Sequence, residues 1–176
     1  MHDRLTGLDS SFLHLERNGT HMHVASTTLF EGPAPPYVEF RDHIAARLDR
    51  VPRFRQKLMR VPYLGHPVWV DDGSFNLDYH VRHTALPAPG DIRQLKRLAG
   101  RLMSQRMDAS KPLWELWVVD GVEDGRFALA VKAHHCMVDG VGGIELLVRL
   151  MHPDPVPTIE PPRRLLSRRR HGGGSL

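Results

Sequence analysis

The sequence predicts an α/β fold in which helices flank a mixed β-sheet in a two-layer sandwich. Strand-like and helix-like segments follow one another in the order strand, helix, strands, helix, two strands, helix, which is typical of a sheet covered by helices. Apolar residues recur at helical spacing in two long segments, and a segment near the N-terminus is rich in Thr and Val. Of the 176 residues, 41% are hydrophobic and 25% are charged. This balance is that of an ordinary folded domain and excludes a wholly disordered chain.

Four helices are predicted. Residues 8–16 form a short one, with Asp9 as its N-cap residue. The second has apolar residues at three- and four-residue steps and stops at Pro52; these residues are Tyr37, Phe40, Ile44, Leu48 and Val51. The third has its apolar face at Ile92, Leu95, Leu98, Ala99, Leu102, Met103 and Met107. Residues 141–151 form the last.

The strands are predicted between these helices. Residues 21–30 form the first. Residues 53–81 are expected to be rich in strands, and the last of these alternates apolar residues at Phe75, Leu77, Tyr79 and Val81. Residues 113–119, which end at an Asp-Gly turn over 120–121, and residues 127–133 are close enough to form a hairpin.

The net charge of +4 says little about binding partners, because the positive excess lies at the C-terminal end of the chain. Residues 161–176 hold five arginines and no acidic residue, so residues 1–160 carry 19 basic and 20 acidic groups. The body of the chain shows no excess of one sign, and we therefore predict no nucleic-acid partner. Cys136 is the only cysteine, which excludes an intrachain disulfide.

The most unusual segment is residues 133–140, AHHCMVDG. Side chains alternate across a sheet, so His134 and His135, at the end of a predicted strand, point to opposite faces and are expected to have different roles. A neutral imidazole accepts a proton near pH 7, and at a strand end it can reach a substrate from a rigid support. Asp139 can order the following loop, and Gly140 allows a tight turn.

Both pairs of histidines in this sequence also have a simpler interpretation. A lone histidine at a strand end is most often structural, although an adjacent pair followed by Asp-Gly after three residues is more specific. His21 and His23 lie on one face of a predicted strand, and zinc can bind such a pair, but no third ligand was found close in sequence. Surface or substrate-channel histidines are the expected interpretation there, and no metal site is predicted.

The spacing HHCMVDG is the HHxxxDG signature of the CoA-dependent acyltransferase superfamily, which the condensation domains of peptide synthetases share. Three further blocks resemble the N-terminal half of the bacterial wax ester synthase/diacylglycerol acyltransferase family. They are LDSSFLHLE over 8–16, PRFRQKL over 52–58 and PLWELW over 112–117. The resemblance spans residues 5–151.

This resemblance implies an acyltransferase-like sandwich that transfers a long-chain acyl group from acyl-CoA to a diacylglycerol or a fatty alcohol, in triacylglycerol or wax ester synthesis. His135 would be the general base, Asp139 would hold the loop, and His134 and Gly140 would shape the turn. Acyl-CoA is expected as a substrate, and no cofactor is expected. Because no nucleophile need be acylated, Cys136 is expected to be a packing residue.

Full members of the family have two linked, similar domains and more than twice this length. We therefore expect one acyltransferase half-domain over residues 1–152, followed by a disordered tail rich in Pro, Arg and Gly over 153–176. One alternative is a truncated, noncatalytic acyl-binding fragment that needs a missing C-terminal half. Another is a condensation-type acyltransferase acting on carrier-bound substrates.

The expected location is cytoplasmic. No apolar run approaches the roughly 20 residues needed to cross a bilayer, and the N-terminus lacks the apolar core of a signal peptide. The expected partners are acyl-CoA, a hydroxyl-bearing lipid and the missing half. Lipid substrates also imply peripheral contact with membranes or lipid droplets.

Overall fold

The structure is a computed structural model, and it describes residues 7–16, 21–60, 62 and 67–137. In chain order its main elements are α1 (Gly7–Leu15), β1 (His23–Phe30), α2 (Tyr37–Arg47), β2 (Gln56–Met59), β3 (Val68–Asp71), α3 (Leu77–His80), β4 (Val81–Ala85), α4 (Ile92–Ser104), β5 (Trp114–Val122) and β6 (Arg126–His134). Short 3-10 helices lie at Leu48–Arg50, Pro52–Arg55, Glu123–Gly125 and His135–Met137.

Four of the strands form one mixed sheet in the order β1-β6-β5-β4. Strand β6 is antiparallel to both of its neighbours, whereas β4 and β5 run parallel. Helix α4 makes the crossover between β4 and β5 that a parallel pair requires. Strands β2 and β3 form a separate antiparallel pair. The predicted mixed sheet with flanking helices is confirmed.

Apolar side chains cover both faces of the central strands, whereas β1 is largely exposed. Val118 of β5 belongs to a large buried cluster that includes Ile44 of α2, and the next residue, Val119, belongs to a smaller cluster with Leu95 of α4. Because successive strand residues point to opposite faces, α2 and α4 flank the sheet on opposite sides. The two central strands, β5 and β6, are therefore sheltered on both faces, and they form a rigid support for the residues at the end of β6.

The alternating strand predicted over residues 75–81 is wrong. This segment contains helix α3, and strand β4 begins only at Val81. The side chain of Asn76 accepts a hydrogen bond from the backbone N–H of Asp78 at 3.0 Å, which caps the first turn of the helix. A local side-chain cap therefore outweighs a loose apolar alternation.

The predicted turn at Asp120-Gly121 is also wrong. Strand β5 continues to Val122 with a shift in its register against β6, and the chain reverses at Glu123–Gly125. Gly121 has a φ of 71°, and a Cβ there would lie 2.9 Å from the carbonyl oxygen of Leu86. The glycine thus allows a bulge inside a strand rather than ending the strand.

Several predicted element ends move by a few residues. Helix α1 begins at Gly7, so Asp9 lies inside the helix and is not its N-cap. Helix α2 ends at Arg47 and passes into a 3-10 turn, and α4 ends at Ser104 rather than Met107. The hairpin predicted near the end of the described chain is confirmed as β5 and β6.

Some predictions fall on residues that the structure does not describe. They are the helix over 141–151, the tail over 153–176, and the positions of Asp139 and Gly140. Among the described residues, no helix combines the length and the apolar character needed to cross a bilayer.

Two glycines provide a matched test of this packing. Gly90 has a φ of 74°, and a Cβ there would overlap the carbonyl oxygen of Gly121. Gly100 is exposed within α4 and has open space around it. We expect Gly90→Ala to lower the free energy of unfolding by more than about 2 kcal/mol, and Gly100→Ala to raise it by about 0.5–1 kcal/mol. Urea denaturation measures both, and equal effects would contradict this packing.

His80 makes the stability of the fold depend on pH. Its side chain is buried, its ring stacks on Trp114 with 4.7 Å between centroids, and its Nδ1 lies 2.8 Å from the Trp114 carbonyl oxygen. Burial lowers the pKa of His80 below its ordinary value of 6.5, and the hydrogen bond to Trp114 only partly opposes this. Between the two pKa values the unfolded chain binds a proton that the folded chain does not, so this stabilisation is complete above pH 6.5 and is lost on acidification.

We expect His80→Asn to flatten the fall in unfolding free energy between about pH 8 and pH 5, by at most about 1.4 kcal/mol per pH unit. Asparagine keeps an N–H donor for the Trp114 carbonyl but has no proton to titrate. Burial also lowers the pKa of His23 and His134, so the variant should keep part of the slope. Identical pH dependence in the two proteins would show that His80 is not responsible.

Candidate active site

The two adjacent histidines lie where strand β6 ends and a 3-10 turn begins. The backbone N–H of His134 donates to the carbonyl of Leu113, at 3.0 Å, on the β5 side. The backbone N–H of His135 donates to the carbonyl of Met22, at 2.9 Å, on the β1 side. Neighbouring strands therefore hold both residues from opposite sides.

His134 is 1% exposed and its ring is held from within its own turn. Its Nδ1 accepts a hydrogen bond from the backbone N–H of Cys136 at 3.1 Å, and the Cys136 Sγ lies 2.9 Å away. Because Nδ1 accepts, the proton of the neutral ring is on Nε2, which faces the Glu16 Oε2 at 3.6 Å. Burial lowers the pKa of His134, while the Glu16 carboxylate acts in the opposite direction. This ring is thus a neutral structural group.

His135 has a different environment. It is half-buried, and its ring stacks on Phe12 of α1 with 5.1 Å between centroids and 25° between planes. A half-buried imidazole at the edge of a sheet can exchange a proton with a bound molecule, which the enclosed His134 cannot do. The two histidines thus differ in environment, and the different roles expected for them stay a prediction.

The sequence blocks that resemble one family meet in space. Phe12 and Glu16, from the first block, contact His135 and His134. Trp114, from the PLW block, is buried, and its indole N–H donates to the carbonyl of Phe54 at 2.8 Å, in the PRFR block. The blocks therefore form one assembly around the end of β6.

Two of the predicted site residues cannot be placed beside this pair, because Asp139 and Gly140 lie outside the described residues. Cys136 is buried in the large apolar cluster, as a packing residue would be.

Sequence reasoning did not place Glu16 beside His21 and His23. No third ligand was found near His21 and His23, yet Glu16 lies only five residues before His21. One ligand atom of each of these three side chains lies within 4.8 Å of the others. The missed signal was a carboxylate at the C-terminal end of a predicted helix, just before the histidine pair.

The fold matches that of solved acyltransferase and condensation domains. A structure of a wax ester synthase/diacylglycerol acyltransferase from Marinobacter aquaeolei superposes with a TM-score of 0.69 and 37% identity, over 83% of this chain and 37% of that one. A variant of the starter condensation domain of rhizomide synthetase superposes with a TM-score of 0.68, over 85% of this chain and 36% of that one. The latter is 15% identical, so it supports the fold alone.

The particular family follows from the sequence of the whole domain. The model of the wax ester synthase/diacylglycerol acyltransferase catalytic domain matches residues 5–171, and the chain belongs to this family. It is 43% identical over 151 residues to a probable diacylglycerol O-acyltransferase, tgs1, of Mycobacterium tuberculosis, and 39% identical over 146 residues to tgs3 of the same species. The chain spans 33% of the length of the first relative and 54% of the second.

The hydrogen bonds around His134 can be tested directly. We expect the neutral His134 ring to carry its proton on Nε2, because the Cys136 backbone N–H occupies Nδ1. Two-dimensional ¹⁵N–¹H spectra of the imidazoles at alkaline pH report the tautomer, and His134→Asn assigns the resonance. A proton on Nδ1 would contradict the geometry of this turn.

Proposed function

We propose that this chain is the N-terminal catalytic part of an acyltransferase that moves a long-chain acyl group from acyl-CoA to a hydroxyl-bearing lipid, a diacylglycerol or a fatty alcohol. The single observation that carries the proposal is the contrast between the two histidines in a chain of this family. His134 is enclosed and engaged, whereas His135 is half-buried at the end of a central strand.

His135 acts as the general base in this proposal. Its neutral imidazole removes the proton of the acceptor hydroxyl while the oxygen attacks the thioester carbonyl carbon. The tetrahedral intermediate collapses, the carbon–sulfur bond breaks, and the imidazolium returns its proton to the CoA thiolate. The products are an ester and CoA with a free thiol group, and the imidazole is regenerated. No residue of the chain is acylated.

The neighbouring residues position this base. The stacked ring of Phe12 restrains His135 on one side, and the hydrogen bond from its backbone to Met22 restrains the main chain. A group held on a packed sheet loses little entropy when it reaches the productive geometry. Asp139 and Gly140 would order the loop that follows.

The length of the chain supports a second proposal about how it works. It spans about a third of the first curated relatives that it matches. A C-terminal half would supply the other wall of the substrate site, and the chain without it would bind acyl groups but turn over slowly or not at all. Membership of the wax ester synthase/diacylglycerol acyltransferase family favours this proposal over a condensation-type acyltransferase.

Lipid acceptors imply contact with a membrane or a lipid droplet. Leu15, at the end of the helix that carries Phe12, is 56% exposed and offers an apolar surface for such a contact. This peripheral contact is a proposal that rests on the nature of the substrates.

The test is thiol release from palmitoyl-CoA in the presence of a long-chain alcohol or a diacylglycerol. We expect His135→Ala to reduce acceptor-dependent release by about 10²- to 10⁴-fold, the usual contribution of a positioned base. The matched control is His83→Ala, an exposed histidine in β4 at the opposite edge of the sheet from β1, which should retain activity.

Circular dichroism checks that each variant is folded. Full activity in a folded His135→Ala variant would overturn the assignment of the base. If the folded wild-type chain is inactive alone, the assay is repeated with the C-terminal part of a relative added. Turnover that then appears, and that is lost in His135→Ala, would identify the chain as one half of the enzyme.

A further inference from the structure

Beyond this chemistry, we propose that Glu16, His21 and His23 form a binding site for one divalent transition-metal ion of the zinc class. The site joins the C-terminal end of α1 to the start of β1 and is separate from the proposed base, His135. Its role is to hold these two elements together.

The geometry suits such an ion. One ligand atom of each residue lies within 4.8 Å of the other two. Zinc bound at about 2.0–2.1 Å in a tetrahedron separates its ligands by about 3.3 Å, so small side-chain rotations close the site. The rings of His21 and His23 are stacked, with 5.3 Å between centroids and 26° between planes.

His23 is in the tautomer that a metal requires. Its Nε2 contacts the carbonyl oxygen of Met103, near the end of α4. A carbonyl only accepts, so Nε2 carries the proton and Nδ1 presents a lone pair. This Nδ1 is buried and makes no hydrogen bond in the structure. A backbone carbonyl that orients the far side of a ligating imidazole is the usual support of a metal site.

His21 gives a second, independent observation of the same kind. Its Nδ1 is also buried and makes no hydrogen bond in the structure. A buried polar group without a hydrogen bond destabilises a fold. Two such nitrogens beside one carboxylate are explained if a cation lies between them.

His134 also lies beside the Glu16 carboxylate. Its buried Nε2 also lacks a hydrogen bond in the structure, and it faces the Glu16 carboxylate from 3.6 Å. A carboxylate has two oxygens, so Glu16 can bind the ion with one and accept the Nε2–H of His134 with the other.

Two imidazoles and one carboxylate form a mixed nitrogen and oxygen set, which suits Zn²⁺, Co²⁺ or Ni²⁺ better than Mg²⁺ or Ca²⁺. A water molecule would complete the four ligands of zinc. Because Phe12 on the same helix stacks on His135, the ion would also steady one wall of the proposed active site.

The experiment is a titration of the full chain, without an affinity tag and stripped of metal by a chelator. Zn²⁺ binding is followed by competition with a coloured chelator, and Co²⁺ binding by its visible absorption. We expect one ion per chain, an absorption band of four-coordinate Co²⁺, and a higher melting temperature with Zn²⁺ but not with Mg²⁺.

The variants Glu16→Gln, His21→Gln and His23→Gln should each weaken Zn²⁺ binding at least 10-fold, whereas His83→Gln, the exposed control in β4, should leave it unchanged. If His23→Gln fails to fold, the Zn²⁺ affinity of His21→Gln tests the proposal instead. Binding at no fixed stoichiometry, or binding that the three variants leave unchanged, would overturn the proposal. The readout is independent of acyl transfer, so the two proposals can fail separately.

Discussion

The described structure depends on how the C-terminal end of α4 is joined to the central sheet. The last carbonyls of a helix have no partner within it. Here Lys132 of β6, only 2% exposed, donates to the carbonyls of Leu102 and Gln105 at 3.0 and 2.9 Å. Its Nζ also lies 3.5 Å from the Glu115 Oε2 in the neighbouring strand. A buried ammonium needs all of these partners, since an unpaired one would destabilise the fold by several kcal/mol.

Two histidines lie next to this junction. Lys132 is two residues before His134 and lies on the same face of β6. His23, paired directly with His134 across the sheet, reaches the same helix end through Met103. The Lys132 ammonium and the Nε2–H of His23 therefore both meet one helix C-terminus, where the partial negative charge favours N–H donors. Glu16, the residue after α1, lies close to both His23 and His134.

The elements with a strong periodic pattern were predictable. Helix α4 has a sharp apolar face, and its Asp91 forms a capping box with Gln94. The β5–β6 hairpin also follows from its apolar runs. The strand predicted over residues 75–81 was wrong for a physical reason. The side-chain cap at Asn76 outweighed an alternation of apolar residues and began helix α3. The turn placed at Asp120-Gly121 failed because glycine permits a bulge as readily as a reversal, and the close approach of Leu86 is visible only in three dimensions.

For the site, the sequence by itself determined the pair of histidines, their opposite faces and the family to which the chain belongs. These features depend only on residues that are close in sequence, because side chains alternate along a strand and the motif has a fixed spacing. Only the tertiary structure decided which histidine is enclosed, which one Phe12 supports, and that Glu16 approaches both His134 and the pair at His21 and His23. Burial and the contacts between α1 and β6 join residues more than 100 positions apart, and no local pattern encodes such distances.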